Sequence, residues 1–520
     1  MRTDKLAPAC ILAYLLPSIV GIYAALNFLE TNIAVVRSSD AILLFSVMAG
    51  FGAAITLIFR ATSLGPFKSA LISSLIVILT VYGFIIFRVL SNLSDGLVSF
   101  WATIVIFVVL LALISLGLAR AKATFKLPVQ FVAVLVIVSS GFAITNIIIY
   151  EADRSSTANT NSSFNADLAA QMKFANKKPN IFYIILDRYG DQRTLTADYN
   201  FDNSEFTAFM RKNGFFVATE SASNYPFTAQ SVSSSLNMDY HNFTAEQIPS
   251  HKNDLVPFIR LLQENSVTRY LQNIGYKYVH MGSWWGPSEA SPIADENFRT
   301  TSLGQFDRKF LLRSIFAPLY SLSNNDASSN SIDPDQCSRV PQKLKRLQEL
   351  AASKDPTFTF AHFLVPHDPF VFDKNGRCLE FEESASRSLE ESYLAQLQYA
   401  NKFLTSLIEG LLSQPGPKPI IIIQADEGPY PTRYRKDQYG FQWASATDQE
   451  IRQKSRILNA YYFPQVGTEI FYNQITPVNS FRLLFNSYFG TSLALLPDRN
   501  YAIPSNSNRY DFFDVTDIVR

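Results

Sequence analysis

After residue 180 the chain has four apolar runs that end on residues able to do chemistry. Ile181–Leu186 (IFYIIL) ends at Asp187, with Arg188 next to it. Tyr276–Met281 (YKYVHM) carries His280 and runs into Gly282-Ser283-Trp284-Trp285-Gly286. Thr357–Val365 (TFTFAHFLV) leads to Pro366-His367-Asp368-Pro369, and Pro419–Gln424 (PIIIIQ) to Asp426-Glu427-Gly428. One Asp after a strand is often only a helix cap. Several acids and histidines at successive strand ends are harder to explain that way and form a site-like pattern. A further segment, Ser223 to Asn237, turns at Pro226 and starts a helix at Thr228. That position puts a hydroxyl where free backbone N–H groups and the helix dipole favour an anion, which suits a nucleophile attacking phosphorus. The competing reading is that Thr228 is simply an N-cap. His362 alternates along its strand and reads as a packed core histidine with an internal partner.

The elements that must position these residues follow from hydrophobic period. The four runs and Arg456–Phe463 read as buried strands, while Ser204–Lys212, Val256–Ile274, Val340–Ser353, Leu389–Leu412 and Val478–Phe489 show helical spacing. The expected fold is an α/β sandwich around a largely parallel sheet, in which ligands collect beyond the carboxyl ends of the strands.

Composition separates this part from the rest. Of 520 residues 48% are apolar and 17% charged, which excludes a disordered or fibrous chain, and Lys+Arg 45 against Asp+Glu 44 leaves a net charge of +1, no footprint of a nucleic-acid binder. A mean hydropathy of +0.07 suggests two parts in different solvents. Five stretches, Ala7–Phe28, Ala41–Phe59, Phe67–Leu90, Val98–Ala119 and Leu127–Tyr150, are each long enough to cross about 30 Å of hydrocarbon. Cationic residues in alternate loops (Arg2, Lys5, Arg60, Lys68, Arg120, Lys122 and Lys126 against Arg37, Arg88 and Arg154) put the amino terminus inside, and an odd number of spans then puts the chain after Tyr150 outside. No charge lies deep in a span, which argues against a transporter. The expected organisation is a membrane region at 1–150, a Ser/Asn/Thr-rich linker at 151–178 and an extracytoplasmic domain at 179–520. Cys10 lies in the first span. Cys337 and Cys378 fall in an oxidising compartment without CxxC spacing, which suits a disulfide rather than a metal site.

With these segments assembled, residues 179–520 resemble the sulfatase-like branch of the alkaline phosphatase superfamily, especially the membrane-anchored group of lipoteichoic acid synthases and phosphoethanolamine transferases. The resemblance rests on "PNIFYIILDRYG", "SNYPFTAQSVSSSLNM", "YVHMGSWWGP", "FAHFLVPHDPF", "IIIQADEGP" and "RILNAYYFP…ITPVNSFRLLFNSYFG", in that order. It implies Asp187, Thr228 and Asp426 as metal ligands, Thr228 as nucleophile and His367 as a substrate-facing histidine that protonates the leaving oxygen or orients the acceptor. His280 and Trp284 would sit on a substrate-contacting loop. Arg188, beside Asp187, either binds a phosphate oxygen or points away. Where the family has His after the Asp, this chain has Glu427. Asp187, Thr228, Asp426 and Glu427 would make an all-oxygen site suited to Mn²⁺, Mg²⁺ or Ca²⁺ more than Zn²⁺.

The function the resemblance implies is metal-dependent phosphoryl-group transfer or hydrolysis, using a phospholipid-type donor to modify an envelope glycan or lipid. That corresponds to a multi-pass inner-membrane protein of a bacterium with its carboxyl-terminal domain on the periplasmic or extracellular side. The alternative is an inactive sulfatase-like domain acting as a membrane-tethered glycan or partner binder. Sulfatase chemistry itself needs Cys or Ser in C/S-x-P/A-x-R, and no such sequence surrounds Thr228.

Overall fold

The computed structural model describes residues 8–60, 62–157, 168, 172, 178–243, 247–300, 303–323 and 336–520. The chain divides into two compact units. One is Met1–Asp153 with Leu303–Ala327, and the other is Arg154–Ser302 with Ser328–Arg520.

Among the described residues the first unit contains five helices long and apolar enough to cross a membrane: α1 Pro8–Asn32, α2 Ile42–Arg60, α3 Pro66–Leu93, α4 Phe100–Arg120 and α5 Lys126–Thr157. Local signals set their ends. Pro66 occupies the first turn of α3, where a missing N–H costs nothing, and the Ser99 hydroxyl accepts from the Ala102 N–H to cap α4. Helix α5 continues past Tyr150 to Thr157. The rest of the expected linker, apart from Leu168, Met172 and 178, lies outside the described residues. One grouping was not expected from the division at 179: the stretch at 303–327, in the middle of the later sequence, belongs with the spans.

The second unit is built on a seven-stranded sheet. In chain order the strands are β1 Ile181–Leu186, β2 Phe216–Val217, β3 Lys277–Met281, β4 Glu296–Asn297, β5 Thr357–Phe363, β6 Ile420–Ala425 and β7 Asn459–Tyr462, arranged β2-β7-β6-β1-β5-β3-β4. The strands from β6 to β4 run parallel, and β7 and β2 are antiparallel. Both faces are covered, so β1 is buried throughout. Phe182, Ile184 and Leu186 enter one core with the helix Leu389–Ser413, while Ile181, Tyr183 and Ile185 enter the other with Val232 and Leu236 of the helix Thr228–Asn237. Cys337 and Cys378 form a disulfide, tying the helix Gln336–Ala351 to the segment that follows β5.

One turn governs how the end of β6 is held. The Gly428 N–H donates to the Lys454 carbonyl at 2.7 Å, and a Cβ on Gly428 would lie 2.2 Å from the Gln453 oxygen. This close approach brings the end of the helix Asp448–Ser455 against residues 426–428. Gly428→Ala should therefore lower folding stability by about 2 kcal/mol through forced separation of these two backbones. Denaturant titration of the full chain checks this, and an unchanged midpoint would contradict it.

Candidate active site

Register brings the chemistry together. β1 lies between β6 and β5, with Leu186 opposite Ala425 and Ile185 opposite His362. Asp187 and Asp426 therefore leave adjacent strands side by side, and His362 shares a sheet face with Asp187, two residues beyond Ile185. The three side chains form a buried group whose potential ligand atoms all lie within 4.8 Å of one another.

The surroundings of this trio are buried and short of hydrogen-bond donors. The His362 ring is fully buried, and burial lowers its pKa to about 4, so the imidazole is neutral. Its Nδ1 is 2.8 Å from the Ser288 hydroxyl, while Nε2 faces Asp187 Oδ2 at 3.4 Å with no hydrogen bond. Asp187 Oδ1 is likewise buried and without a hydrogen-bond partner. In the tautomer whose Nδ1–H donates to the Ser288 hydroxyl, Nε2 presents a lone pair to a carboxylate oxygen. Two acceptors facing each other in a dry site are tolerable only with a proton or a metal ion between them. The residues present thus fit a divalent cation.

Thr228 completes the group. Phe227, with extended backbone, occupies the N-cap position, so Thr228 is the first helical residue and does not cap. Its hydroxyl donates to Asp426 Oδ2 at 2.6 Å instead. Asp426 Oδ1 is already taken by the N–H groups of Glu427 and Arg188, at 2.9 and 3.2 Å.

Glu427 points elsewhere. Its Oε1 is 3.2 Å from Arg188 Nε and its Oε2 is 2.7 Å from Lys454 Nζ, all three side chains being buried. Burial pushes the lysine down to about 8 against the pull of Glu427. Arg188 also pairs with Asp368 and stacks on the Tyr430 ring, its guanidinium carbon 3.2 Å from the centroid. Its backbone sits at φ 65°, a left-handed conformation costing a non-glycine residue about 1–3 kcal/mol, held by hydrogen bonds at both the N–H and the carbonyl. Around the site four carboxylates (Asp187, Asp426, Glu427 and Asp368) face two cations, a surplus of two negative charges when all are ionised. Desolvation raises the neighbouring carboxyls Asp187 and Asp426 to about 8, so in the absence of a cation this pair holds a proton at neutral pH, with Asp187 the place for it because both Asp426 oxygens already accept hydrogen bonds.

The remaining expected residues separate into two sets. His367 lies at the site's edge with Nδ1 bonded to the Asp368 carbonyl, and burial and Arg188 push its pKa down to about 3. The Trp284 ring meets it edge-on, centroids 6.2 Å apart. His280, expected on a substrate-contacting loop, is instead enclosed. Its two ring nitrogens contact the Tyr278 hydroxyl and the Ser288 carbonyl, both at 2.8 Å, and its ring stacks on Phe360. It supports His362 through Ser288 and has no open face. Of two further residues at the site, Lys454 was not singled out from the sequence and His362 was read as a packed histidine. The signal for His362 is strand parity, readable only once β5 is paired with β1.

Comparison with known proteins agrees with this architecture. The sulfatase family model matches residues 179–453, more than half of the chain, and the chain belongs to that family. No curated protein matches it. Similar solved structures include the periplasmic domain of EptC from Escherichia coli (13% identity, TM-score 0.40, covering 66% of this chain and 95% of that one). They also include the integral membrane lipooligosaccharide phosphoethanolamine transferase A of Neisseria meningitidis (12%, 0.41, 92% and 94%) and a 2-O GAG sulfatase (13%, 0.35, 64% and 74%).

The raised carboxyls give a pH prediction. Below about pH 8 a bound cation must displace the proton that Asp187 and Asp426 hold as a pair, so affinity for Mn²⁺ or Zn²⁺ should fall as pH drops from 8 to 6 and binding should release a proton. Titration calorimetry in buffers of different ionisation enthalpy measures this. Affinity independent of pH, with no proton release, would contradict it.

Proposed function

We propose that the α/β domain transfers a phosphoryl group through a covalent intermediate on Thr228. The observation that carries the reading is the Thr228 hydroxyl, which begins a helix without capping it and donates to Asp426 Oδ2 at 2.6 Å. Asp187, Asp426 and His362 would hold a divalent cation with Thr228 beside it, a mixed oxygen and nitrogen set that suits Zn²⁺ or Mn²⁺. When bound, the ion lowers the pKa of the threonine hydroxyl and offsets charge on the phosphoryl oxygens.

The chain's own residues account for the rest. The Thr228 Oγ–P bond forms as the donor's P–O ester bond breaks. The hydroxyl proton leaves along the hydrogen bond to Asp426, and the departing alkoxide takes a proton from water. The helix N-terminus and Arg188 face the negative charge of the transferred group. Glu427, with both oxygens engaged by Arg188 and Lys454, positions these cations rather than ligating the ion. In the second step an acceptor hydroxyl attacks phosphorus, the Oγ–P bond breaks and Thr228 regains its proton. His367, neutral and with Nδ1 committed to the Asp368 carbonyl, offers Nε2 to orient the acceptor hydroxyl, whose proton passes to the hydroxide left when the first leaving group took its proton from water.

A phospholipid-type donor and an envelope glycan or lipid acceptor suit a domain tethered by five spans, in a bacterial inner membrane with this domain on the periplasmic side. The sequence Thr228-Ala229-Gln230-Ser231-Val232 lacks the elements of formylglycine formation, which favours phosphoryl over sulfuryl transfer.

The test is turnover of bis(p-nitrophenyl) phosphate by the full chain loaded with Zn²⁺ or Mn²⁺, with peptide mass spectrometry for an adduct on Thr228. Thr228→Ala should lower turnover by about three orders of magnitude and abolish the adduct. Metal-loaded wild type without turnover would overturn the reading in favour of a binding domain.

A further inference from the structure

The unit that contains the spans encloses an apolar cavity of about 220 Å³. Its walls are Leu43, Val47 and Phe51 of α2, Val81 of α3, and Phe310 and Leu311 of the stretch at 303–327. An engineered apolar cavity of about 150 Å³ already admits benzene and stays dry. The three α2 residues recur every four positions and form one stripe. At 1.5 Å per residue they cover about 12 Å of depth, close to the ~15 Å of hydrocarbon in one leaflet. Leu43 and Val47 line the cavity yet remain 59% and 55% exposed, so it opens sideways onto the lipid-facing surface of α2.

The stretch that closes the cavity is firmly seated within this unit. The helix Gln305–Leu311 lies beside the turn Ser38–Ala41, and the Phe306 and Phe310 rings pack on Phe28 near the end of α1, at 4.9 and 5.3 Å between centroids. Farther on, the Ile315 N–H donates to the Thr80 carbonyl of α3 at 2.9 Å. Ile315 also fills the space left by Gly83, where a Cβ would lie 2.1 Å from its Cγ2. Topology agrees: the turn at 38–41 follows one span and the stretch at 303–327 follows five, so both lie on the same side of the bilayer. The cavity therefore belongs to the leaflet on that side.

One wall is polar. Asp307 lines the cavity, and its Oδ1 is buried with no hydrogen-bond partner. Such a group calls for a donor, and the space beside it is apolar and opens to hydrocarbon. Water does not suit the walls, and a water-soluble ligand does not reach the opening.

We propose that this cavity seats one acyl chain of a glycerophospholipid from that leaflet whose head group carries an N–H or O–H, with Asp307 accepting a hydrogen bond from that group. The seat is a property of the spanning unit and stands whether or not the α/β domain acts as a transferase. A lipid held there would fix the stretch at 303–327 against α2 and α3.

The full chain, reconstituted in dioleoylphosphatidylcholine vesicles containing a phosphatidylethanolamine with a diazirine in its acyl chain, provides the test. After irradiation, peptides covering 43–51 and 303–316 should be labelled several-fold more than the lipid-facing Val105 and Val109 of α4, which are 61% and 49% exposed. Equal or weaker labelling would overturn the proposal. As a second arm, native mass spectrometry should find one lipid retained by wild type and by Val105→Trp, and at least tenfold less by Val47→Trp, which fills the cavity. Retention by Val47→Trp equal to wild type would overturn it as well.

Discussion

The buried His362 Nε2 and the Asp187 carboxylate face each other at 3.4 Å without a hydrogen bond between them. Unfilled, this arrangement is costly. Desolvation opposes the charged forms of both groups, and the neighbouring Asp426 and Glu427 add further negative charge. The carboxyl pair then holds a proton up to about pH 8, or gives it up to a cation. The other features of the site can be understood as ways of keeping this tension in place. Three adjacent parallel strands fix the acids and the imidazole, and Ser288 fixes the ring orientation from behind. The buried Arg188 and Lys454 neutralise Glu427 but leave two negative charges unbalanced.

The backbone bears part of the cost. Arg188 is held in a left-handed conformation so that its N–H reaches Asp426 while its side chain returns toward Glu427 and Asp368. Gly428 allows the helix Asp448–Ser455 to touch the end of β6, and this contact delivers Lys454 to Glu427. The substitution of Glu427 for the histidine expected there is thus coupled to two cations in this chain. Its carboxylate forms ion pairs with both, while the imidazole beside Asp187 and Asp426 comes from β5.

Much of this was legible in the sequence, and the rest was hidden for identifiable reasons. The apolar runs ending at Asp187 and Asp426 mark strand ends because continuous apolar patterning is what a doubly covered parallel sheet requires. The start of the helix at Thr228 was equally readable, but the role of its hydroxyl was not. Capping or reaching across depends on whether Phe227 or Thr228 takes the N-cap position. His362 was read as a packed histidine because its facing depends on pairing with Ile185, a contact between residues far apart in sequence. His280 was read as substrate-facing because loop proximity does not reveal that Tyr278 and Ser288 enclose it. The antiparallel turn of β7 and the return of the stretch at 303–327 to the spanning unit are likewise tertiary choices.

The most direct measurement is the metal content of the purified full chain at pH 8, by elemental mass spectrometry, for wild type, His362→Ala and His280→Ala. If the facing Asp187 and His362 are what hold the cation, wild type and His280→Ala should each carry one divalent ion per chain. His362→Ala should then bind at least tenfold more weakly. Equal metal binding by His362→Ala and wild type would contradict the account.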